Sequence, residues 1–193
     1  MVNKIWKGIL LLTCVLVIAT GCGKSENEIS LGSWDGNTYK NEFLNVTYNK
    51  PEDWTRYTDE QIKDVMNLGS ELTDASTLSK KLAELTSVTY MMSSGVDGSN
   101  VILMSEKNLT NISGETYAGK LKTQLENLDN LSYQLSDVKK ETIDGKEFVT
   151  LEASVQNIKQ KYYIYKLDKH IVSLIVTVVS DDVNSVIEQF DFN

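Results

Sequence analysis

The chain has 193 residues, with 27 acidic and 19 basic side chains and a formal net charge of −8 at pH 7. This acidity, without basic clusters, argues against binding to nucleic acid, which needs Lys and Arg side chains to neutralise phosphates. With one His and two Cys residues, the sequence predicts neither a zinc site nor a disulfide framework, and no cofactor is expected.

The first 21 residues have the organisation of a secretory signal peptide. Lys4 and Lys7 precede an apolar run over residues 9–18, and small residues follow that run. This order of basic head, short apolar middle and small residues predicts a segment that is cleaved off. The run is about 10–14 residues long, whereas a helix needs ~20 to cross a bilayer, so a transmembrane helix is the weaker interpretation. An ordinary signal followed by an accidental Cys is a second alternative.

Cys22 comes directly after Ala19-Thr20-Gly21, and this segment resembles the lipobox of bacterial lipoproteins. The resemblance implies that the Cys22 thiol is acylated and that the chain is cleaved just before it. The mature protein would then be anchored on the extracytoplasmic face of the cell membrane. Cleavage before Cys22 would also remove Lys4 and Lys7 and make the mature chain more acidic. Because an acidic chain is not attracted to anionic lipid, the acyl chains alone are expected to supply the anchoring.

The remaining chain is predicted to contain a tether and one domain. Residues 22–33 comprise the lipidated Cys and a polar stretch without periodicity, which is typical of a flexible linker. Residues 34–193 have a length that fits a single domain.

The first two thirds of this domain are expected to alternate between hairpins and helices. A capping box at Thr58-Asp59-Glu60-Gln61 predicts the start of the first helix. In chain order we expect a hairpin over residues 38–43 and 46–49, helices from residue 58 and over residues 77–85, a hairpin over residues 86–94 and 101–106, and a helix over residues 114–128.

The last third is predicted to be rich in strands. Asp144-Gly145 is a strong hairpin signal between strands over residues 132–142 and 146–155. Residues 171–179 are apolar at both alternating positions, which predicts a central strand covered on both faces. Asp181-Asp182 is expected to cap a closing helix that runs through Phe190. The predicted fold class is therefore α+β, with a central antiparallel sheet covered by helices on both faces in an α/β/α arrangement.

A motif near the start of the domain adds a family resemblance. The segment Trp34-Asp35-Gly36-Asn37-Thr38-Tyr39-Lys40-Asn41, followed by Tyr48, Pro51 and Trp54, resembles the opening of uncharacterised clostridial-type (Firmicutes) lipoproteins with a PsbP/Mog1-like domain. The resemblance implies a central antiparallel sheet between helices. It implies no particular activity, because proteins of one fold do different things.

The aromatic residues of this motif allow two interpretations. Trp34, Tyr39 and Trp54 either cover the hydrophobic core as a lid or form a platform that binds a ligand. Tyr163 and Tyr165 are expected to pack in a half-buried strand, although they would make an adhesive face if they pointed to solvent.

The sequence shows no catalytic motif. His170 lies alone at a predicted turn and is expected to be solvated, and no Gly-x-Ser-x-Gly or phosphate-binding loop is present. The favoured function is a non-enzymatic module that binds a protein at the cell envelope. The alternative is a small-molecule or glycan receptor with a pocket between sheet and helices, and an uncommon hydrolase is a third hypothesis.

Overall fold

The computed structural model describes residues 30–72, 87–128, 132–179 and 182–192, with side chains of the first helix described as far as residue 66. Cys22, the predicted helix over residues 77–85 and Asp181 lie outside these ranges. The described strands are β1 (Ser33–Asp35), β2 (Thr38–Asn41), β3 (Val46–Asn49), β4 (Thr55–Arg56), β5 (Ser87–Ser94), β6 (Asn100–Lys107), β7 (Gln134–Leu135), β8 (Lys139–Ile143), β9 (Lys146–Val155), β10 (Ile158–Leu167), β11 (His170–Val178) and β12 (Phe190–Asp191). The described helices are α1 (Asp59–Leu72), α2 (Gly114–Glu126) and α3 (Val183–Ile187).

A large antiparallel sheet forms the centre of the domain. Its strands lie in the order β4-β5-β6-β11-β10-β9-β7, and β8 pairs with the same edge of β9 as β7 does. Every residue of β11 is buried, which confirms the predicted central strand. Such a strand is rich in apolar residues because both of its faces are covered.

A second, smaller sheet has the order β1-β2-β3-β12. The predicted hairpin of β2 and β3 is confirmed, and its turn places Asn45 at a φ of 51°, a conformation that Asn tolerates better than most residues. β12 pairs with β3 and sets Phe190 opposite Tyr48, whose rings stack with centroids 4.4 Å apart. The sheet therefore joins the beginning of the domain to its end.

The two faces of the large sheet have different covers, and each face contributes to its own hydrophobic cluster. We call the side covered by α1 and α2 the helix face; its cluster includes Ile62, Tyr117, Leu121, Leu125, Ile102, Ile175 and Leu151. We call the opposite side the small-sheet face; its cluster includes Tyr39, Tyr48, Trp54, Leu103, Phe148, Leu174, Val186 and Phe190.

The predicted α/β/α arrangement with helices on both faces is wrong. Only the helix face has the expected cover, because the other face packs mainly against the small sheet, with the five-residue α3 beside it. Asp182 caps the N-terminus of α3, as predicted. The prediction that this helix runs through Phe190 is wrong, because α3 ends at Ile187 and Phe190 belongs to β12, which pairs with β3. Strands of two or three residues, such as β12 and β1, are too short to show the alternation that identifies a strand in a sequence.

Local turn and cap signals predicted the remaining elements well. Thr58 N donates to Gln61 Oε1 at 2.9 Å and Gln61 N donates to Thr58 Oγ1 at 3.3 Å, which confirms the capping box. Asp144 and Gly145 both have positive φ, as the tight hairpin turn between β8 and β9 requires. The single strand predicted over residues 132–142 is divided into β7 and β8.

Candidate functional site

The antiparallel strands give the domain two ends. The proximal end is where the described chain begins at Ser30; it also contains the β2–β3 turn and the β10–β11 turn. The distal end contains the β1–β2 turn, the loop over residues 50–54 and the β5–β6 turn. Lys146 Nζ lies 3.3 Å from Leu44 O at the proximal end, and Gly95 lies against the indole of Trp54 at the distal end, so both sheets share these two ends.

Buried side chains fasten the beginning of the described chain at the proximal end. Tyr39 Oη donates to Leu31 O at 2.8 Å, and Asn41 Nδ2 donates to Ser30 O at 3.0 Å. Gly32 has a φ of 74°, and a Cβ atom there would lie 2.6 Å from Lys40 O, so only Gly fits. These groups therefore fix the backbone at Ser30 and Leu31, just before β1.

Lys146 links the two sheets at the same end. Its Nζ lies 3.6 Å from the ring centroid of Tyr165 and 5.8 and 5.7 Å from those of Phe148 and Phe192. Burial lowers the pKa of the Lys146 amine to about 8. The arrangement fixes the β2–β3 turn against β9 and β10, because Tyr165 Oη also donates to Leu44 O at 3.2 Å.

The aromatic residues of the Trp-Gly-Asn motif lie at different depths. Tyr39 is 1% exposed and Trp54 is 8% exposed, whereas Trp34 is half-buried. The Trp34 ring packs 5.4 Å from that of Tyr39, and the Arg56 guanidinium lies 5.7 Å from the Trp34 centroid. Burial of two of the three rings leaves only the outer part of Trp34 for contact with a ligand. This geometry favours the lid interpretation, while the ligand platform stays a prediction.

His170 is not a solvated turn residue. It is the first residue of β11, it is 5% exposed, and its ring meets Phe43 edge-on with centroids 6.2 Å apart. The prediction was wrong because His170 shares the small-sheet face with Val172 and Leu174. Tyr163 and Tyr165 are also buried, so the condition for an adhesive tyrosine face is not met.

Carboxylates and amides near the turns have structural partners. Asp97 accepts hydrogen bonds from Ser99 N at 3.0 Å and from Ser99 Oγ at 2.8 Å, and Asn100 Nδ2 donates to Gly98 O at 3.1 Å. The described residues contain no group of three or more His, Cys, Asp or Glu side chains that could hold a metal. Among the described helices, none combines the length and apolar composition that crossing a bilayer requires.

The β5–β6 turn presents an exposed apolar side chain at the distal end. Val96 is 86% exposed. Gly95 N donates to Ser99 O at 2.8 Å, and Val179 N donates to Ser99 Oγ at 3.1 Å, which ties the turn to the end of β11. Sequence reasoning missed this residue. The signal was a β-branched apolar residue in a turn, a place where Gly, Asn, Asp and Ser are usual.

The pairing of two antiparallel sheets with helices on one outer face has a counterpart among solved structures. The solution structure of cyanobacterial PsbP (CyanoP) from Synechocystis sp. PCC 6803 is similar to this chain with a TM-score of 0.50 and 13% sequence identity, over 84% of this chain and 99% of that one. The fold is PsbP-like. No protein-family model matches the chain, and no curated protein matches it either. The PsbP-like likeness concerns the fold and does not by itself assign a function.

Proposed function

We propose that the chain is a lipid-anchored extracytoplasmic lipoprotein whose domain binds a protein partner at the cell envelope, without catalysing a reaction. The observation that carries this proposal is the position of Val96, which is 86% exposed on a hydrogen-bonded turn. The chain joins the domain at Ser30, at the opposite end. A tether of about eight residues from an acylated Cys22 would reach ~26 Å, so the distal end would face away from the membrane.

The geometry around Val96 suits a contact with a protein. Full burial of a Val side chain contributes about 1.5–3 kcal/mol, and a turn that is already rigid loses little entropy on binding. Glu52, Asp53 and Asp97 are exposed at the same end. We therefore propose that the partner offers an apolar pocket with basic groups at its rim, which would accelerate association.

A small-molecule or glycan receptor is the second candidate function. It needs convergent polar groups between the sheet and the helices.

Replacement of Cys22 by Ala is expected to release the protein from membranes, because the acyl chains would have no attachment point and each buried CH₂ contributes ~0.8 kcal/mol to binding. The measurement is the partition of the chain between membrane pellet and supernatant after an alkaline wash. Cys14→Ala, within the predicted signal, is the matched control and should stay in the pellet. A Cys22→Ala protein that still pellets after the wash would refute the anchor.

A photocrosslinking residue in place of Val96 is expected to give a discrete adduct in intact cells, because this side chain would lie inside the interface. The same residue in place of Leu109, which is 39% exposed at the proximal end, is the control and should give none. A Val96→Asp variant should weaken association with the captured protein at least tenfold. Equal adducts from both positions, or unchanged association of the variant, would count against the proposed surface.

A further inference from the structure

Two exposed leucines lie at the proximal end of the domain. Among the described residues three large apolar side chains are exposed, and besides Val96 these are Leu31, at 58%, and Leu109, at 39%. Leu31 lies where the described chain begins, and Leu109 follows the end of β6. Single exposed leucines are common on protein surfaces, so the significance of these two depends on what surrounds them.

Hydrogen bonds hold the loop that presents Leu109. Asn108 N donates to Lys169 O at 2.7 Å, which fastens the loop to the β10–β11 turn. The Asn108 side chain closes the loop, because its Nδ2 donates to Ile112 O at 2.7 Å and its Oδ1 accepts from Ile112 N at 2.9 Å. Leu109 is therefore displayed on an ordered turn, and contact through it costs little conformational entropy.

Exposed lysines surround Leu109. Lys107 precedes it in the sequence, and Lys169 is joined to its loop by the hydrogen bond to Asn108. Lys166 Nζ also donates to this loop, at 2.6 Å. Lysines beside an exposed apolar side chain are typical of surfaces that lie in the headgroup region of a membrane.

A series of contacts places Leu31 on the same surface. Ser30 O accepts a hydrogen bond from Asn41 at the β2–β3 turn, and the Phe43 ring in that turn meets the His170 ring with centroids 6.2 Å apart. His170 lies opposite Lys107 in the register of β11 and β6. We call the exposed side chains at this end the proximal surface, which comprises Leu31, Lys40, Lys107, Leu109, Lys166 and Lys169.

The acidity of the chain is not spread evenly over the domain. The proximal surface has four exposed lysines, and three exposed acids accompany them, namely Glu42, Asp144 and Asp168. At the distal end Asp35, Glu52, Asp53 and Asp97 are exposed, with Arg56 as a basic neighbour. The expectation that anionic lipid gives no help came from the total charge, whereas the structure separates the charges along the strands.

Distance decides which of these charges a membrane would feel. β11 has nine residues, and at ~3.3 Å per residue it separates the two ends by about 30 Å. Charges in solution are screened beyond about 8 Å at physiological ionic strength. A bilayer at the proximal end would therefore interact with the lysines there and would not be repelled by the distal acids.

We infer that the proximal surface lies against an anionic phospholipid bilayer, with Leu31 and Leu109 in the headgroup region and the lysines facing the lipid phosphates. This inference rests on the proposed acyl anchor. Because a short tether holds the domain near the bilayer, the contact is intramolecular and has a high effective concentration. Two leucines and a few lysines, which are too few to bind a free domain to a membrane, are then enough to orient an anchored one.

The test uses the full acylated chain, purified from membranes and reconstituted into vesicles of equal parts phosphatidylcholine and phosphatidylglycerol. Leu109→Cys supplies a thiol for a fluorophore, and nitroxide-labelled lipid quenches a fluorophore that touches the bilayer. We expect the label at position 109 to be quenched several-fold more than the same label on Val96→Cys at the distal end. Leu31→Cys provides a second proximal position should Leu109→Cys fail to fold.

A charge reversal tests the role of the lysines. Lys107→Glu in the chain labelled at position 109 should shift the equilibrium toward the free domain about tenfold and reduce the quenching accordingly. Lys159→Glu is the matched control, because it makes the same change of charge at an exposed residue near the distal end of β10, and it should leave the quenching unchanged.

The outcomes separate this inference from the anchor on which it depends. A chain that does not float with the vesicles would refute the anchor and the inference together. A chain that floats but whose labels at positions 109 and 96 are quenched equally would overturn the inference alone. Equal loss of quenching from Lys107→Glu and Lys159→Glu would also overturn it, because total charge rather than the proximal surface would then control the contact.

Discussion

Replacement of Trp54 by Ala is expected to lower the free energy of unfolding by about 3–5 kcal/mol, the usual cost of removing a large buried aromatic side chain. The indole is 8% exposed and packs beneath Gly95. Its backbone carbonyl accepts a hydrogen bond from the buried amine of Lys50 at 2.5 Å. The cavity that this substitution leaves would therefore lie beneath the β5–β6 turn at the distal end as well as in the hydrophobic core. Urea unfolding followed by far-UV circular dichroism measures the loss without relying on Trp fluorescence.

Trp34→Ala is the matched control for this experiment. Trp34 is half-buried, so less apolar area returns to water, and a loss of about 1–2 kcal/mol is expected. The two variants separate the alternatives for the motif, because a lid over the core makes Trp54 the more costly loss. A Trp54→Ala protein as stable as the parent would instead show that the indole contributes little to the core, as a ligand platform requires.

The sequence predicted those parts of the fold that depend on local chemistry. Asp144-Gly145 forms its turn because both residues accept positive φ. The capping box at Thr58 and Gln61 begins α1 because each side chain satisfies a free backbone N–H of the other. The mostly apolar composition of β11 identified it as central, because a strand that is covered on both faces is rich in apolar residues.

The sequence could not predict the small sheet, because β1 and β12 gain their stability from partners far away in the chain. Phe190 lies opposite Tyr48 across more than a hundred intervening residues, and two residues of strand show no periodicity. The helical pattern of residues 183–190 therefore predicted a longer helix than the five-residue α3. The prediction that His170 is solvated failed for a related reason. The residue that covers it, Phe43, is distant in the sequence, so the contact between the two rings could not be predicted from local patterns.

The surface and interior features of the distal end also differ in how far the sequence predicts them. Val96 could have been found from the sequence, because an apolar β-branched residue between Gly95 and Asp97 is unusual in a turn. The juxtaposition of buried polar side chains at Asn100, Thr177 and Gln160 could not be found in this way, because each is an ordinary residue in its own strand. Only the register of β6, β11 and β10 brings them side by side.

The domain is expected to unfold steeply above pH 10, because buried tyrosines resist ionisation in the folded state. Burial raises the pKa of Tyr39 and of Tyr163 to about 12 and raises the pKa of Tyr48 and Tyr165 further. The unfolded chain ionises its tyrosines near pH 10, so between pH 10 and 12 the folded state binds more protons and stability falls as pH rises. A shift of two pH units corresponds to about 3 kcal/mol per tyrosine. Urea midpoints measured at constant ionic strength from pH 7 to 12 would follow this loss, and a midpoint that stays constant up to pH 12 would contradict it.

Between about pH 8 and pH 10, Lys146 is expected to make the stability of the domain rise with pH, the opposite of the effect of the tyrosines. Its pKa is about 8 in the folded state and near 10.5 when unfolded, so between these values the unfolded chain binds more protons and stability rises with pH. Because Lys146 is only half-buried, solvent screening reduces the expected gain to about 1 kcal/mol. The urea midpoint should therefore pass through a maximum near pH 10 before the tyrosines ionise. Lys146→Met keeps most of the side-chain volume and should remove the rise while leaving the steep loss above pH 10, whereas a rise that persists in this variant would assign it to another group.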